Sequence, residues 1–572
     1  MEYSAIIHDM DKRFCYAIDK DLFVIRIQVK RDDIKEIILH YEDKYIPMEW
    51  KDTRKTIPMK KVATSQFQDY YEAQIQMHLI CLRYFFEFTD MQGEKVYYGN
   101  YEFSRECITN RDRMFDCPQN LREEEMFEVP EWAANKVVYQ IFPSRFAATE
   151  PVDKELWYKA PITPMDDLHG NLRGIIEHMD DIQNLGIDVL YMTPIFQSNS
   201  CHKYDTTDYY QIDPSFGTTE DLKELVQKAH ERGMKVVLDA VYNHTGREFF
   251  AFADILENGE KSKYRDWYFI DGFPLKSEWG EIPNFKCFGY YGGMPKLNLK
   301  NPEVEKYITD VACYWIKECD IDGWRLDVGD EISHFFWKNF RKAVKAVKKD
   351  MLIIGEIWHY AGDFLEGDEW DTVMNYPFYL NLIDLLADEK ITVSQFVQNL
   401  GYLKGRLHKN CYPLMWNLID SHDTARFLHL CNDNKKKQHL AAAFQLLLPG
   451  MPMIYYGDEY AMPGANDPDC RRGMYWDEEY QDKEMYEWYK RLIQVRKSHA
   501  CIVEGELAGS VTEDEEGTIV LIRKNGEETI AMIFNCSSSA KKFNEYTQKY
   551  NLLTENTFDG NVEGFDAAVI VL

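Results

Sequence analysis

The chain has 572 residues and carries 66 basic against 96 acidic side chains, a formal net charge of −30 at pH 7. A surface this acidic repels nucleic acid and anionic membranes, so neither is expected as a partner, and a neutral ligand is favoured. The length predicts two or three domains, one of them large. Aromatic residues make up 14% of the chain, which suits either large aromatic cores or a protein that stacks rings on sugars.

The N-terminal sequence MEYSAIIHDMDKRF mixes acidic residues with its few apolar ones and so lacks the pattern of a signal peptide. We therefore expect a cytoplasmic protein. Its 13 cysteines are an odd number without CxxC pairs, and we expect reduced thiols. The apolar run from His439 to Tyr456 is interrupted by Pro449 and Gly450. This predicts a buried helix, a turn and a buried strand, because a membrane span needs a longer unbroken run.

Three regions with different periodicity follow one another along the chain. Short β-like runs fill the first hundred residues and predict an N-terminal β-sandwich, assigned to residues 1–122. Between 123 and 498, short apolar strands alternate with amphipathic helices, which is typical of βα units and a parallel sheet. From 499 to 572 the short β runs return and predict a C-terminal β-sandwich domain.

Eight strands can be counted in the central region. They lie at 136–142, 188–194, 234–241, 322–328, 351–357, 371–377, 414–420 and 451–457. Eight strands with intervening helices predict an α/β fold of the (β/α)8 or TIM barrel type. The stretch at about 245–302, rich in Gly, aromatic and acidic residues, is then an inserted subdomain after the third strand.

Polar side chains follow the predicted barrel strands at their carboxyl ends, where the active sites of such barrels lie. They are Asp239, Asn243 and His244 at strand three, Arg325, Asp327 and Glu331 at strand four, Glu356 at strand five, and His422 and Asp423 at strand seven. Charged groups that converge on one rim cost desolvation energy unless a ligand and mutual hydrogen bonds compensate. A lone polar residue at a strand end is more often a cap, so Asp239 and Asn243, each taken alone, favour structural roles.

Two of these carboxyl residues suit the cleavage of a glycosidic bond, which needs one ionised carboxylate and one protonated carboxylic acid. Asp327 is expected to attack the anomeric carbon, and the adjacent Arg325 is expected to hold it ionised. Glu356 has apolar neighbours that favour its protonated form, so it is expected to donate the proton to the departing oxygen. Asp423 would then stabilise positive charge in the oxocarbenium-like transition state.

The strings LDAVYNH, GWRLDVGDE, GEIWH and WNLIDSHDT resemble the four signature regions of the α-amylase family of glycoside hydrolases, glycoside hydrolase family 13. MPKLN at 294–298 and SNSCHKYDTTDYYQID at 198–213 are similar to further regions of its neopullulanase, cyclomaltodextrinase and maltogenic amylase subgroup. All of these motifs stand in the family's order and spacing. The resemblance spans nearly the whole chain, because the subgroup also has an N-terminal β-sandwich and a C-terminal β domain.

The resemblance implies Asp327 as nucleophile, Glu356 as general acid/base and Asp423 as transition-state stabiliser. The residues that it implies in substrate binding are His202, Tyr204, His244, Arg325, Glu331, Trp358 and His422. Tyr204 matches the ring on which the sugar in the cleavage subsite stacks, although this residue alone is also compatible with core packing. Glu331 and Trp358 match positions on the leaving-group side.

Two segments depart from the subgroup pattern. Where the subgroup often has an Asn- and Asp-rich calcium loop, this chain reads AATEPVDKE, and Asn171 stands where Asp is common. We therefore expect no cofactor and no metal ligand; calcium is the one metal that the resemblance suggests, and its loop is poorly matched. The segment VGDE replaces the usual VANE, which brings Gly329 and Asp330 to the catalytic rim and predicts altered acceptor binding.

The resemblance implies a retaining α-glycosidase that hydrolyses α-1,4-glucosidic bonds of cyclomaltodextrins, maltooligosaccharides, pullulan or starch, with some transglycosylation. It also implies a homodimer in which the N-terminal domain packs against a partner subunit. Two alternatives stay open: an exo-acting α-glucosidase of the same family, and a non-catalytic glucan-binding protein that keeps the fold. The preferred glucan and the cleavage of α-1,6 bonds depend on loop shape, which the sequence does not define.

Overall fold

The computed structural model describes residues 1–46, 54–76, 81–118, 126–277 and 281–572. The predicted boundary at residue 122 lies outside these ranges. The described chain divides into two compact units. The first comprises Met1–Val129, Ala361–Glu369 and Ile391–Tyr412, and the second comprises Pro130–Tyr360, Trp370–Lys390 and Pro413–Leu572. Two segments from within the 123–498 range therefore pack with the N-terminal sandwich.

The first unit is built on two antiparallel sheets. One sheet contains, in spatial order, Cys15–Ala17, Leu22–Lys30, Gln68–Gln76 and Lys60–Thr64. The other contains Lys55–Pro58, Ile34–Asp43, Cys81–Asp90, Lys95–Tyr98 and Phe103–Ser104, with Phe115–Pro118 also paired to Cys81–Asp90. Apolar side chains from both sheets, including Phe23, Ile25, Leu39 and Phe86, form one buried core. The helix Val393–Arg406 belongs to this unit, and Arg26 donates to the carbonyls of Gly405 and Leu407.

One expectation about the cysteines is wrong. Cys15 and Cys117 form a disulfide between strands of the two sheets, although all thiols were expected to be reduced. The pairing depends on which strand edges meet in space, and a separation of 102 residues carries no such information. The other cysteines in the described ranges do not form disulfides.

The second unit contains the predicted barrel, with all eight strands in the predicted places. They are β1 (Val138–Ile141), β2 (Val189–Met192), β3 (Lys235–Ala240), β4 (Gly323–Leu326), β5 (Leu352–Gly355), β6 (Thr372–Val373), β7 (Trp416–Asn417) and β8 (Met451–Tyr455). Every neighbouring pair is parallel, in the order β6-β5-β4-β3-β2-β1-β8-β7. A parallel bridge between Met374 and Trp416 joins the two edges. The strands are buried on both faces, which explains their continuous apolar runs.

Helices follow the strands as the amphipathic patterns predict. The longer ones in this unit are Leu172–Glu177, Met179–Leu185, Thr219–Glu231, Phe250–Asn258, Pro302–Cys319, His334–Val347, Tyr376–Leu382, Lys435–Leu447 and Lys483–Ser498. Pro143–Phe146, Lys154–Trp157, Phe427–Leu430 and Cys501–Glu504 form single turns. Thr218 and Asp221 form a capping box at Thr219–Glu231, and Asn301 caps Pro302–Cys319. Such caps satisfy backbone N–H groups that have no partner within the helix.

The apolar run from His439 to Tyr456 is divided between helix Lys435–Leu447 and strand β8, as predicted. Within the described ranges, no helix is both long and apolar enough to cross a membrane.

Two excursions from the barrel bring side chains to its rim. The antiparallel pair Phe196–Ser198 and Thr206–Ile212 follows β2 and encloses the loop that carries Tyr204. The inserted stretch after β3 returns through an antiparallel bridge between His244 and Lys296. Both excursions begin at the carboxyl ends of strands, where the polar residues had been predicted to gather.

The C-terminal region is a β-sandwich. Its larger sheet contains, in spatial order, Glu506–Glu513, Thr518–Asn525, Glu528–Asn535, Asp566–Val571, Tyr550–Asn551 and Asn556–Thr557. The strands Lys541–Lys542 and Asn561–Val562 form the smaller sheet. Val520, Ile533, Phe543 and Ile570 belong to the core of this domain. The predicted fold class, a TIM barrel with β-sandwiches on either side in the chain, is therefore confirmed.

We predict that Gly355→Ala destabilises the protein, because an added Cβ would lie 2.2 Å from the buried ring of Trp370. Overpacking of this kind costs about 1–3 kcal/mol. The expected result is a lower midpoint of thermal unfolding. Gly272→Ala is the matched control, since nothing lies within 4 Å of its added Cβ. Equal midpoints for the two variants would contradict the packing argument.

Candidate active site

The carboxyl ends of the barrel strands bring the predicted polar residues together around one guanidinium. Arg325 is fully buried in β4, directly opposite Asp239 in β3. Its Nη1 donates to Asp239 Oδ1 at 3.0 Å and to Asp327 Oδ1 at 2.9 Å. Its Nη2 lies 2.8 Å from Glu356 Oε2 and 4.0 Å from Asp423 Oδ2. One cation thus contacts the three predicted catalytic carboxylates.

Asp327 has two oxygens in different situations. Oδ1 accepts from Arg325, whereas Oδ2 is buried and has no hydrogen-bond partner among the described residues. The backbone holds the side chain in place, since the Asp327 N–H donates to the carbonyl of Ala240 at 3.1 Å. An unpartnered buried carboxylate oxygen is costly and is therefore a candidate for direct contact with a ligand.

Burial raises the pKa of Asp327 well above its ordinary value, and the nearby carboxylates of Glu356, Asp239 and Asp423 act in the same direction. Arg325 lowers the pKa of Asp327, which is the direction expected from the sequence, but it does not cancel the rise. Burial likewise raises the pKa of Asp239 to about 6. Four carboxylates lie around one guanidinium, so the site carries excess negative charge.

Glu356 follows β5 and has a separate set of donors for each oxygen. Oε2 accepts from the backbone N–H of Val328 at 2.9 Å and lies close to Arg325. Oε1 accepts from the indole Nε1 of Trp358 at 3.1 Å. The Trp358 ring stacks on Tyr376 with ring centroids 4.1 Å apart. The carboxyl group is therefore held by both the backbone and an aromatic pair.

Tyr204 is joined to the centre through its hydroxyl group. It donates to Asp239 Oδ2 at 2.9 Å and lies 2.5 Å from His422 Nε2. The Gln140 amide lies 2.7 Å from the other nitrogen of His422. Burial lowers the pKa of His422 well below its ordinary value, so the imidazole is neutral. These partners fit the tautomer in which Nδ1 accepts from Gln140 and Nε2 donates to Tyr204.

His202 lies in the same loop, and its ring stacks with Tyr204 at a centroid distance of 5.9 Å. The loop is fixed by the intervening residue Lys203, which has a φ of 64° and a buried ion pair with Asp213 at 2.9 Å. The Nδ1 of His202 also accepts a hydrogen bond from the backbone N–H of Tyr204 at 3.1 Å. The loop therefore presents His202 and Tyr204 as one rigid wall.

Asp423 is the most open of the predicted catalytic residues, with 28% of its side chain exposed. Its Oδ2 lies 3.2 Å from His422 Nε2, and Arg471 Nη2 donates to its Oδ1 at 3.4 Å. Arg471 also donates to the carbonyl of His422 at 2.8 Å. Arg471 thus positions the whole segment after β7.

His244 and Glu331 lie at the rim between β3 and β4. Burial lowers the pKa of His244 to about 3, so it is neutral, and its Nε2 has no hydrogen-bond partner among the described residues. Its ring stacks on Phe288 at 5.0 Å. Lys296 of the MPKLN segment pairs with Glu331 Oε2 at 3.2 Å and also donates to Asn243. Asn243 donates to the same Glu331 oxygen at 3.1 Å.

Several residues around the site were not predicted. They are Gln140, Tyr191, Phe288, Lys296, Tyr376 and Arg471. Gln140 and Tyr191 lie inside strands, so a search of strand ends alone misses them; a polar residue in an otherwise apolar strand is the signal that could have found them. Lys296 lies within a string already singled out. Arg471 ends the short 3-10 helix Asp469–Arg471, whose sequence has no distinguishing pattern.

We predict that Arg325→Ala costs about 3–5 kcal/mol of stability, because it leaves a group of buried carboxylates without their cation. A carboxyl group whose pKa is raised on folding contributes stability below its unfolded pKa and loses it as the pH rises through the folded pKa. The pKa values of Asp327 and Asp239 are both raised. The loss of stability in Arg325→Ala should therefore be larger at about pH 8 than at about pH 5. Thermal unfolding at both pH values measures it.

Arg325→Lys keeps the charge and is the matched control for this comparison. A loss in Arg325→Ala that does not vary with pH would show that packing, and not charge, is what Arg325 supplies.

The described ranges contain no group of three or more His, Cys, Asp or Glu side chains arranged to hold a metal ion. Asn171, which stands where the subgroup commonly has Asp, caps a helix: its Oδ1 accepts from the backbone N–H of Gly174 at 2.8 Å. Its amide donates to Thr149 and to the carbonyl of His169.

Comparison with known proteins places this geometry in a family. Residues 140–480 match the family model described as "Alpha amylase, catalytic domain", and residues 1–119 match "Alpha amylase, N-terminal ig-like domain". A cyclomaltodextrinase from Geobacillus thermopakistaniensis (strain MAS1) is 42% identical over 547 residues, covering 94% of this chain and 92% of that protein. An intracellular maltogenic amylase from Bacillus subtilis is 38% identical over 543 residues, covering 94% and 91%.

A solved structure of a cyclomaltodextrinase has a TM-score of 0.94 and 37% sequence identity, with all of both chains covered. The family models cover most of the chain, and the curated relatives match both its N-terminal domain and its barrel. The chain is therefore a glycoside hydrolase that belongs to the α-amylase family, glycoside hydrolase family 13.

Proposed function

We propose that the protein hydrolyses α-1,4-glucosidic bonds with retention of configuration, using Asp327 as nucleophile and Glu356 as general acid/base. The observation that carries this proposal is that one buried guanidinium contacts both carboxyl groups, while Asp327 Oδ2 is left without a partner. This arrangement fits a double displacement, in which the free oxygen of Asp327 forms a bond to the sugar and the hydrogen-bonded carboxyl group of Glu356 transfers the proton.

In the first step, Asp327 Oδ2 attacks the anomeric carbon while Glu356 gives a proton to the departing glycosidic oxygen. In the second step, Glu356 takes a proton from water, and that water releases the sugar from Asp327. Asp423 lies 4.0 Å from Arg325 and faces the same centre, so its charge stabilises the positively charged transition state.

The remaining predicted residues bind the sugar. His244 is neutral and buried, so its unpartnered Nε2 can bond a sugar hydroxyl group without adding charge. The neutral His422 holds the Tyr204 hydroxyl in place beside it. Tyr204 and His202 form the aromatic wall on which a sugar face stacks. Trp358, with 43% of its surface exposed, lies beside Glu356, and Glu331 lies at the rim beside Lys296. Both contact the leaving group or an acceptor.

We propose cyclomaltodextrins, maltooligosaccharides, pullulan and starch as substrates, because the matched relatives are named cyclomaltodextrinase and maltogenic amylase. A sugar acceptor bound beside Trp358 would compete with water for the glycosyl intermediate, which gives transglycosylation. One relative is named intracellular, and this supports a cytoplasmic location. The use of Asn171 as a helix cap supports catalysis without a resident calcium ion.

The experiment that tests the proposal is product analysis with β-cyclodextrin, pullulan, soluble starch and maltotriose, beside Asp327→Asn and Glu356→Gln. We expect conversion of the cyclodextrin to maltose and glucose, with the α-anomer released first. Each variant should lose activity by about 10²-fold or more, because each removes a group that acts in the transition state.

Each other outcome selects an alternative. Intact cyclodextrin with glucose released from maltotriose would identify an exo-acting α-glucosidase. Binding of glucans without cleavage by folded protein would identify a non-catalytic glucan-binding protein. Initial release of the β-anomer would contradict the double displacement.

We also propose a homodimer formed through the N-terminal unit. An exposed aromatic cluster on this unit supports it: Tyr3 contacts Phe103, which stacks on Tyr98, and Tyr101 is 79% exposed. Aromatic residues concentrate at the centres of protein interfaces.

We predict that Tyr101→Lys combined with Phe103→Glu weakens self-association by roughly tenfold or more, because truncated interface aromatics are common hot spots. Sedimentation equilibrium of the full chain measures this change. Met165→Lys, at a 90% exposed position of the other unit, is the control and should leave association unchanged. A wild-type chain that remains monomeric at all concentrations would exclude the dimer.

A further inference from the structure

We propose that Val328 is a positioning residue whose backbone decides which oxygen of Glu356 carries the catalytic proton. The inference rests on the proposed role of Glu356 as acid/base and deepens it. It assigns Oε2 as the permanent acceptor and Oε1 as the oxygen that gives and takes the proton.

Val328 has a backbone conformation that its side chain disfavours. Its φ is 47° and its ψ is 43°, in the left-handed region. A β-branched residue there is a genuine outlier, and such strain costs of order 1–3 kcal/mol. Strain of this size persists only where the surrounding structure enforces it, and it concentrates at functional sites. Val328 is adjacent to Asp327, so the strained backbone lies in the active site.

Both neighbours of Val328 are fixed, which explains the conformation. On one side, the Asp327 N–H donates to the carbonyl of Ala240 at 3.1 Å. On the other side, the Gly329 carbonyl accepts from Trp337 Nε1 at 2.9 Å, and a Cβ at Gly329 would lie 2.8 Å from Trp370. The peptide plane between Asp327 and Val328 contains the Val328 N–H, and it is held between these two fixed ends.

The N–H of Val328 points toward Glu356. The Val328 N–H donates to Oε2 at 2.9 Å, and Arg325 Nη2 lies 2.8 Å from the same oxygen. A proton on Oε2 would therefore face one N–H group and one cation, both of which repel it. Oε1 faces a single donor, the indole Nε1–H of Trp358 at 3.1 Å, and no cation among the described residues. The geometry therefore favours protonation at Oε1 over Oε2.

The Trp358 contact is also the one that can open. Trp358 is 43% exposed and is held by stacking on Tyr376, whereas Val328 and Arg325 are part of the barrel rim. When Oε1 is protonated, its O–H points to the glycosidic oxygen of a bound glucan. The proton moves from Oε1 to that oxygen, the bond from the anomeric carbon to that oxygen breaks, and Asp327 Oδ2 forms the new bond to the anomeric carbon. In the second half, Oε1 takes a proton from water, the water oxygen forms a bond to the anomeric carbon, and the bond from that carbon to Asp327 Oδ2 breaks.

The test removes the N–H alone. Nonsense suppression with 2-hydroxyisovaleric acid replaces the amide at position 328 by an ester and keeps the side chain. Without this donor to its ionised form, Glu356 holds its proton more tightly, so the alkaline limb of the kcat/KM profile should move up by about one pH unit. The value of kcat on maltotriose should fall several-fold. On maltosyl fluoride, whose leaving group needs little protonation, kcat should be unchanged.

Two controls separate positioning from a general structural defect. An ester at position 332 removes the backbone hydrogen bond from Ile332 to Gly329 in the same turn, without contact to Glu356. Val328→Gly keeps the N–H and adopts the left-handed conformation readily. Neither should move the alkaline limb. An ester at 328 that leaves this limb in place, or that slows both substrates equally, would overturn the assignment.

Neutron diffraction of acidic wild-type crystals tests the same point without a variant. A deuteron on Glu356 Oε1 is expected, and a deuteron on Oε2 refutes the proposal. The proposed function has its own test: it is refuted if the folded wild-type protein cleaves no glucan or if Glu356→Gln stays active. Either result would also refute the present inference, which depends on Glu356 as acid/base.

Discussion

The burial of Arg325 is the constraint on which the site depends. A guanidinium without water is tolerated only when it is paired with anions and hydrogen-bonded on its edges. Asp239 stands opposite it in the neighbouring strand, and Asp327 and Glu356 complete its partners. Strand register therefore sets the chemistry, because a slip of one residue would turn Arg325 away from the barrel interior. The eight-stranded closure fixes this register by pairing both edges of every strand.

The site contains more carboxylates than cations, and this imbalance has a chemical use. His244 and His422 are kept neutral by burial, so Arg325 and Arg471 supply the positive charge near the carboxylates. A neutral sugar gains little from such a field, but a sugar that develops positive charge at its anomeric carbon gains much more. The arrangement is thus preorganised for the transition state and not for the ground state.

Sequence reasoning located the barrel strands because buried parallel strands appear as apolar runs, and located Asp327 and Glu356 because they end such runs. It missed Gln140 and Arg471, which contact His422 from 282 and 49 residues away in the chain. It missed the pairing of Cys15 with Cys117 for the same reason. It also placed residues 391–412 with the barrel, whereas they pack on the N-terminal sandwich through Arg26. Partners that are distant along the chain leave no periodic signal.

The VGDE segment shows how the structure separates two substitutions that the sequence presents together. Gly329 is required by packing, because any side chain there would meet the buried ring of Trp370. It therefore carries no information about the acceptor. Asp330 is different: its carboxylate is partly exposed and lies 4.0 Å from His359. Burial raises its pKa, and the charges of Glu331 and Glu356 act in the same direction. Of the two substituted positions, Asp330 is therefore the one whose side chain can affect the competition between water and a sugar acceptor.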